Sequence, residues 1–225
     1  HLMEEFGDTI HEIENDNFDI VRLNAVYESD DKESMACFIG TLIQQLTNEI
    51  RKNRPDIILV LGDRGEMLAG AVVGSYLGIP VAHIHGGEIT STIDDITRHA
   101  ITKMSHIHLA TTTDSAQRIT RMGEDPSHIF IVGAPGLDQI MSGDLISREK
   151  TFEKYYLDPA RPYAIIAQHP VSLEVEFAQE QMKTTLDAVI QLEIPAVIIY
   201  PNADAGGRKM IEVIEQYSSS PDIHI

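Results

Sequence analysis

The sequence has no tryptophan and only one cysteine, Cys37, among 225 residues. A lone thiol cannot close an internal disulfide, which fits a reducing compartment. Long hydrophobic runs are missing as well. The apolar run at residues 57–61 falls far short of the roughly 20 residues that a bilayer-spanning helix needs, and no signal peptide is visible. Positive charge is scarce: Lys and Arg total 17 against 35 Asp and Glu, a formal net charge of −18. That balance argues against nucleic acid or an anionic membrane surface as partner. Together these absences point to a cytoplasmic protein. An anionic ligand would have to be held by a few local cations and by helix N-termini.

What is present is ordinary for a globular protein, with 43% apolar and 23% charged residues and enough length for one large or two modest domains. The chain opens on His1-Leu2-Met3 without an initiator methionine. It closes on Asp222-Ile223-His224-Ile225, which reads as a strand just beginning. Both ends suggest a fragment.

From Asp56 onward the text repeats with the period of a βα unit. The run Ile57-Ile58-Leu59-Val60-Leu61 reads as a buried parallel strand. It leads through Gly62-Asp63-Arg64 into a helix over 66–77, stopped by Gly78 and Pro80. A strand at 81–85, a helix at 93–104 and a strand at 107–111 follow. Next come a short helix capped by Asp114 or Ser115, a strand at 129–132 and the turn Gly133-Ala134-Pro135-Gly136. Upstream, 18–23 reads as a strand and 34–52 as a long amphipathic helix. Residues 142–162 turn polar, so we place the domain boundary there, with one domain over 1–150 and the start of a second over 151–225. The second has strands at 163–167 and 196–200 flanking a helix at 174–191. Strands alternating with helices at this spacing predict doubly wound α/β domains.

In open parallel sheets, ligands bind beyond the carboxyl ends of the strands. Five such ends carry polar residues: Asp63-Arg64, His83/His85 with Glu88, the Gly133 turn with Asp138, Gln168-His169-Pro170, and Asn202 with Asp204. Each residue also has a plainer explanation. Asp63 could simply cap the following helix. His83 and His85, two apart on a strand, would face one side. With His106 and His108 they raise the question of a metal, but the spacing is a weak signal, and one of the pair could be a hydrogen-bonded core histidine. Thr92 and Asp95 approximate a capping box, and an acidic first turn suits the helix dipole. Asp94 is left over, with Arg98 four residues on, able to pair with it or to face a phosphate. Residue chemistry alone thus predicts a two-domain α/β protein with a polar cleft for a small anionic ligand. It does not name a reaction.

Three blocks go further: Gly62-Asp63-Arg64, His83-Ile84-His85-Gly86-Gly87-Glu88, and the run from Thr92-Ile93-Asp94-Asp95 through Thr97-Arg98-His99 to Lys103. With Gln168-His169-Pro170-Val171 and Tyr200-Pro201-Asn202-Ala203-Asp204-Ala205-Gly206, they resemble the hydrolysing UDP-N-acetylglucosamine 2-epimerases of sialic acid biosynthesis, in order and spacing, across nearly the whole chain. The resemblance implies two Rossmann-like domains of the GT-B type, both incomplete here, with UDP held between them. It places the first strand and its Arg-bearing loop before His1, and Ser- and Glu-bearing loops beyond Ile225. It implies elimination of UDP across C1 and C2 to a 2-acetamidoglucal, then addition of water with inversion at C2, giving N-acetylmannosamine and UDP. Matching positions implicate Asp63, Asp94 and His85 in catalysis, with His85 standing where some relatives have Glu; His169 matches a nucleotide-contacting position and is counted with the catalytic group. Arg64, Gly133 and Asn202 match nucleotide contacts. Glu88 and Asp138 join them as candidates for holding the substrate, with Arg98 and His99 carried in that group as residues behind the direct contacts. No metal and no cofactor are expected, and the partner is a UDP-sugar, with a homodimer or homotetramer as the assembly.

Three alternatives stand beside this reading: a hydrolysing relative acting on a UDP-2,4-diacetamido-trideoxyhexose, whose motifs would be the same; a non-hydrolysing 2-epimerase, from which the Gly86-Gly87-Glu88 and Ile93-Asp94-Asp95 blocks point away; and a non-catalytic UDP-sugar sensor using the same cleft. Product analysis separates the first two from the main reading. Ligand binding without turnover would mark the third.

Overall fold

The structure is a computed structural model that describes every residue except 4–6, 8, 91, 92, 144 and 172. In chain order the helices and strands are α1 (Ile10–Asn15), α2 (Lys32–Lys52), β1 (Ile58–Leu61), α3 (Gly65–Leu77), β2 (Val81–Ile84) and α4 (Ile93–Met104). There follow β3 (Ile107–Ala110), α5 (Thr113–Arg121), β4 (Ile129–Ile131), α6 (Gly136–Ser142), α7 (Arg148–Lys154) and β5 (Ala164–Ala167). Last come α8 (Ala178–Gln191), β6 (Ala196–Ile199), α9 (Gly207–Tyr217) and β7 (Ile223–His224). The chain divides into two compact units. One comprises Val21–Tyr27 and Met35–Gly143; the other comprises His1–Ile20, Glu28–Ser34 and Asp144–Ile225.

The first unit holds a four-stranded parallel sheet in the order β1-β2-β3-β4. Each crossover passes through one helix and moves one strand further the same way. Right-handed crossovers therefore place α3, α4 and α5 on a single face. The core lies on that face: Val60, Ala71, Val81 and Ile101 are buried against Ile58, Met67 and Met104. A second cluster joins Ile50 of α2 to Val73 and Ile79. Gly74 lets α3 approach closely, since a Cβ there would overlap the Val81 side chain. On the opposite face Leu59 and Leu61 are exposed.

The second unit holds the parallel sheet β5-β6-β7. Ala196 and Ile198 of β6 meet Met182, Leu186, Met210 and Ile214 of α8 and α9. Val197, pointing the other way along the pleat, meets Phe152 and Leu157 around α7.

The α/β class with parallel sheets is as read from the sequence, and six of its strands fall within a residue or so of the expected bounds. The strand expected at 18–23 is absent. Phe18 and Val21 are exposed there, and a β-prone run without a neighbouring ladder has nothing to pair with. The cap of α5 is Thr112, whose side chain accepts from the Ser115 amide at 3.1 Å, in place of Asp114 or Ser115. The Thr92 half of the expected capping box lies outside the described residues. Asp95 does reach back, its Oδ1 accepting from the Thr90 amide at 2.6 Å. Among the described residues, no helix is long and apolar enough to cross a membrane.

Candidate active site

The carboxyl ends of three adjacent strands bring together residues that are far apart in the chain. After β1, Gly62 turns with φ +80° and its amide donates to the Ile84 carbonyl at 2.9 Å. That turn delivers Asp63. Its carboxylate does not cap α3; Arg64 is the N-cap residue there, without a side-chain cap bond. Asp63 instead accepts from Nη2 of Arg98, which reaches it from the second turn of α4.

Arg98 is the hub. It is only 4% exposed, and its Nη1 donates to Oε2 of Glu88 at 3.1 Å. One guanidinium therefore holds carboxylates from the ends of β1 and β2. Burial pushes the Arg98 pKa below its ordinary value, yet two facing carboxylates keep the cation in place. The expected alternatives of pairing with Asp94 or facing a phosphate give way to this arrangement, because both ends of the fork are engaged inward.

Glu88 is shared further. Its Oε1 accepts from His85 Nδ1 at 2.9 Å and from Thr111 Oγ1 at 2.6 Å. Thr111 follows β3 directly, so the third strand end also contributes. His85 lies one residue past β2 with φ +64°. A left-handed backbone is costly for a non-glycine residue, roughly 1–2 kcal/mol, and such strain gathers at functional positions. The Gly86-Gly87 turn behind it is fixed by α5. Arg118 donates to the Gly87 carbonyl, and a Cβ on Gly87, whose φ is +79°, would overlap the Ser115 carbonyl oxygen.

The left-handed turn takes His85 out of the strand, so strand alternation no longer fixes which side it faces relative to His83. His83 is fully buried. Its Nε2 donates to the Gly62 carbonyl at 2.7 Å, and its Nδ1 lies 3.2 Å from Thr102 Oγ1. Burial pushes its pKa down to about 4. His83 is thus the hydrogen-bonded core histidine. Among the described residues, no group of three or more His, Cys, Asp or Glu side chains is placed to hold a metal.

The other candidates are placed as follows. Arg64 lies beside Asp63, with its Nε 3.6 Å from Glu66 Oε2. Asp94 sits in the first turn of α4, one turn before Arg98. His99 is half-buried on α4, and its Nδ1 is buried without a hydrogen-bond partner among the described residues. Gly133 turns with φ +79° after β4, and Asp138 stands exposed in the first turn of α6. In the second unit His169 Nδ1 accepts from the Asn202 amide at 3.1 Å. That bond leaves the proton on Nε2, a donor suited to an anionic oxygen. His169 borders an open groove of about 780 Å³ with Gln168, Val171, Phe177 and Thr184. Three residues of these networks were not singled out from the sequence: Thr111, Arg118, and Asp30, whose carboxylate accepts from the Gly206 and Lys209 amides at the start of α9.

Across residues 1–225 the chain matches the UDP-N-acetylglucosamine 2-epimerase family. It belongs to that family. A relative from Legionella pneumophila, named a UDP-N,N'-diacetylbacillosamine 2-epimerase (hydrolyzing), is 40% identical over 226 residues, covering all of this chain and 60% of the relative. A UDP-N-acetylglucosamine 2-epimerase of Neisseria meningitidis serogroup B is 36% identical over 222 residues, covering 97% of this chain and 57% of the relative. The chain therefore spans somewhat over half the length of these family members. Among solved structures, the Neisseria meningitidis UDP-GlcNAc 2-epimerase bound to UDP-GlcNAc aligns with a TM-score of 0.68 at 20% identity, over 88% of this chain and 54% of that one. At that identity the likeness speaks for the family's fold.

Proposed function

We propose that the protein carrying this chain is a hydrolysing 2-epimerase, converting UDP-N-acetylglucosamine and water to N-acetylmannosamine and UDP. The observation that carries the proposal is the joining of Asp63 and Glu88 through buried Arg98 at adjacent strand ends, with His85 bonded to Glu88, in a member of this family. The word "hydrolyzing" in the Legionella relative's name supports the same branch.

In this reading the reaction has two halves. A base takes the C2 proton as the C1–O bond to UDP breaks, leaving a C1=C2 double bond. Water then supplies hydroxyl to C1, and a proton reaches C2 from the opposite face. The first half needs an ionised group at C2 and donors for the departing phosphate; the second needs a proton donor. Asp63, His85 and Asp94 serve the protons. The Nε2–H of His169 and the guanidinium of Arg64 stabilise the leaving UDP by charge-assisted hydrogen bonds. Asn202 and Gly133 contact the nucleotide, with Asp138 and His99 completing the substrate contacts. Arg98 and Glu88 act behind the reacting groups, because Arg98 is almost fully buried and both carboxylate oxygens of Glu88 are engaged.

A second reading has a specific observation in its favour. The 40% identical relative is named for a diacetamido sugar, and the two substrates differ only at C4 and C6, away from the chemistry. Incubating the full-length protein with each UDP-sugar in turn, and following UDP and free sugar together, decides between them. UDP release from neither substrate contradicts the hydrolysing assignment.

A further inference from the structure

Glu88 has a geometry that the proposed reaction does not yet use. We infer that Glu88 is a positioning residue that fixes the proton of His85 on Nδ1, leaving Nε2 free to take and return a proton at the substrate. This rests on the hydrolysing reading above and deepens it.

The argument is a count of protons. A carboxylate can only accept hydrogen bonds. Oε1 of Glu88 lies 2.9 Å from His85 Nδ1, so Nδ1 must be the protonated nitrogen. A neutral imidazole carries one proton, and Nε2 is then a lone pair. Among the described residues Nε2 has no hydrogen-bond partner, and the side chain is 26% exposed. The lone pair is therefore both unoccupied and reachable. Glu88 cannot turn away to release the ring, because Thr111 Oγ1 donates to the same oxygen and Arg98 to the other.

Charge favours the same role. Asp63, Glu88 and Arg98 sum to one negative charge while His85 is neutral. The cluster becomes neutral when Nε2 takes a proton. The nearby His83 is buried and uncharged at neutral pH, so it adds no opposing charge. The protonated ring stays bonded to Glu88 through Nδ1–H, and deprotonation of Nε2 returns the starting state. This is the orienting logic by which an acid fixes the working tautomer of a histidine base.

The test is Glu88→Gln in the full-length protein. Arg98 can only donate, so the new amide must turn its oxygen to Arg98 and its NH2 to His85. Nδ1 must then accept, and the proton moves to Nε2. We expect kcat to fall on the order of a hundredfold or more, with UDP affinity changed less than about threefold. In 15N-histidine-labelled protein, His85 should read as the Nδ1–H tautomer in the parent and the Nε2–H tautomer in the variant. A parent His85 with its proton on Nε2 overturns the inference, and that measurement needs no variant to fold. A Glu88→Gln enzyme within about threefold of the parent kcat overturns it as well. If the parent releases no UDP from either sugar, the proposed function fails instead, while the tautomer of His85 remains readable.

Discussion

Arg98 and Asp63, 35 residues apart in the chain, form an ion pair in which the Arg98 side chain is only 5% exposed. The pair ties α4 to the end of β1, and the second bond of Arg98 to Glu88 ties both to the end of β2. Replacing Arg98 with Met keeps the volume but leaves two carboxylates facing each other without a cation. Breaking a buried pair by removing one partner costs roughly 3 kcal/mol or more. Urea unfolding of Arg98→Met should show a loss of about that size, and Arg98→Lys a smaller one. An unchanged midpoint in Arg98→Met would mean that the cluster contributes nothing to the fold.

The turn behind His85 should tolerate no side chain. Gly87→Ala adds a Cβ at φ +79°, against the Ser115 carbonyl oxygen. The backbone strain alone is worth about 1 kcal/mol, and the overlap must push the turn away from α5. The variant should lose stability and also turnover, since the same turn carries His85 and Glu88. Crystallography of Gly87→Ala with an unmoved His85 would separate the two effects and contradict the coupling.

His83 predicts an acid-labile first unit. Its folded pKa is pushed down by burial to about 4 from an ordinary 6.5, so the unfolded state binds a proton more readily. The stability it contributes is complete above about pH 6.5 and is lost as pH falls towards 4. The loss over that window is on the order of 3 kcal/mol. His108, also buried and shifted the same way, adds in the same direction. The urea midpoint should fall between pH 7 and 4.5 more steeply in the parent than in His83→Gln. Equal slopes would remove His83 from the account.

Binding and chemistry should separate between two neighbouring candidates. A charge-assisted contact to a phosphate is worth about 1.5–3 kcal/mol, so Arg64→Ala should weaken UDP binding roughly ten- to a hundredfold. Asp94→Asn keeps the shape and removes the basicity, so UDP should bind normally while kcat falls on the order of a hundredfold. Calorimetry with UDP, beside initial rates, reads both. Unchanged UDP affinity in Arg64→Ala would reject its assigned contact.

Much of this was legible before the fold was seen, and the exceptions have physical causes. The runs at 57–61, 81–85 and 107–111 announce parallel strands, being short, rich in apolar residues and separated by helical stretches, although Leu59 and Leu61 of the first, read as buried, are exposed on the face away from the core. The strand ends then mark where Asp63 and His85 must gather, whereas Thr111 was not singled out. The partners of Arg98 were not legible. Sequence spacing on a helix offers Asp94 as its neighbour, whereas its partners come from strand ends 10 and 35 residues away. His83 and His85 looked equivalent because strand alternation assumes that the strand continues, and the left-handed turn at His85 ends it. The segment at 18–23 has strand composition, but composition cannot supply a ladder partner. Asp30 shows the same limit, since its carboxylate meets amides at Gly206 and Lys209, 176 and 179 residues away.

The most direct test of the central claim follows the hydrogen at C2 of the sugar. If UDP leaves by elimination and water then adds to the double bond, the original C2 proton is lost. The new one comes from a protein group that exchanges with solvent. The full-length protein turning over UDP-N-acetylglucosamine in heavy water should release UDP together with N-acetylmannosamine carrying one deuterium at C2. Mass spectrometry and proton NMR of the product read this in a single reaction. Free N-acetylmannosamine retaining its original hydrogen at C2, or a product still joined to UDP, would contradict the account.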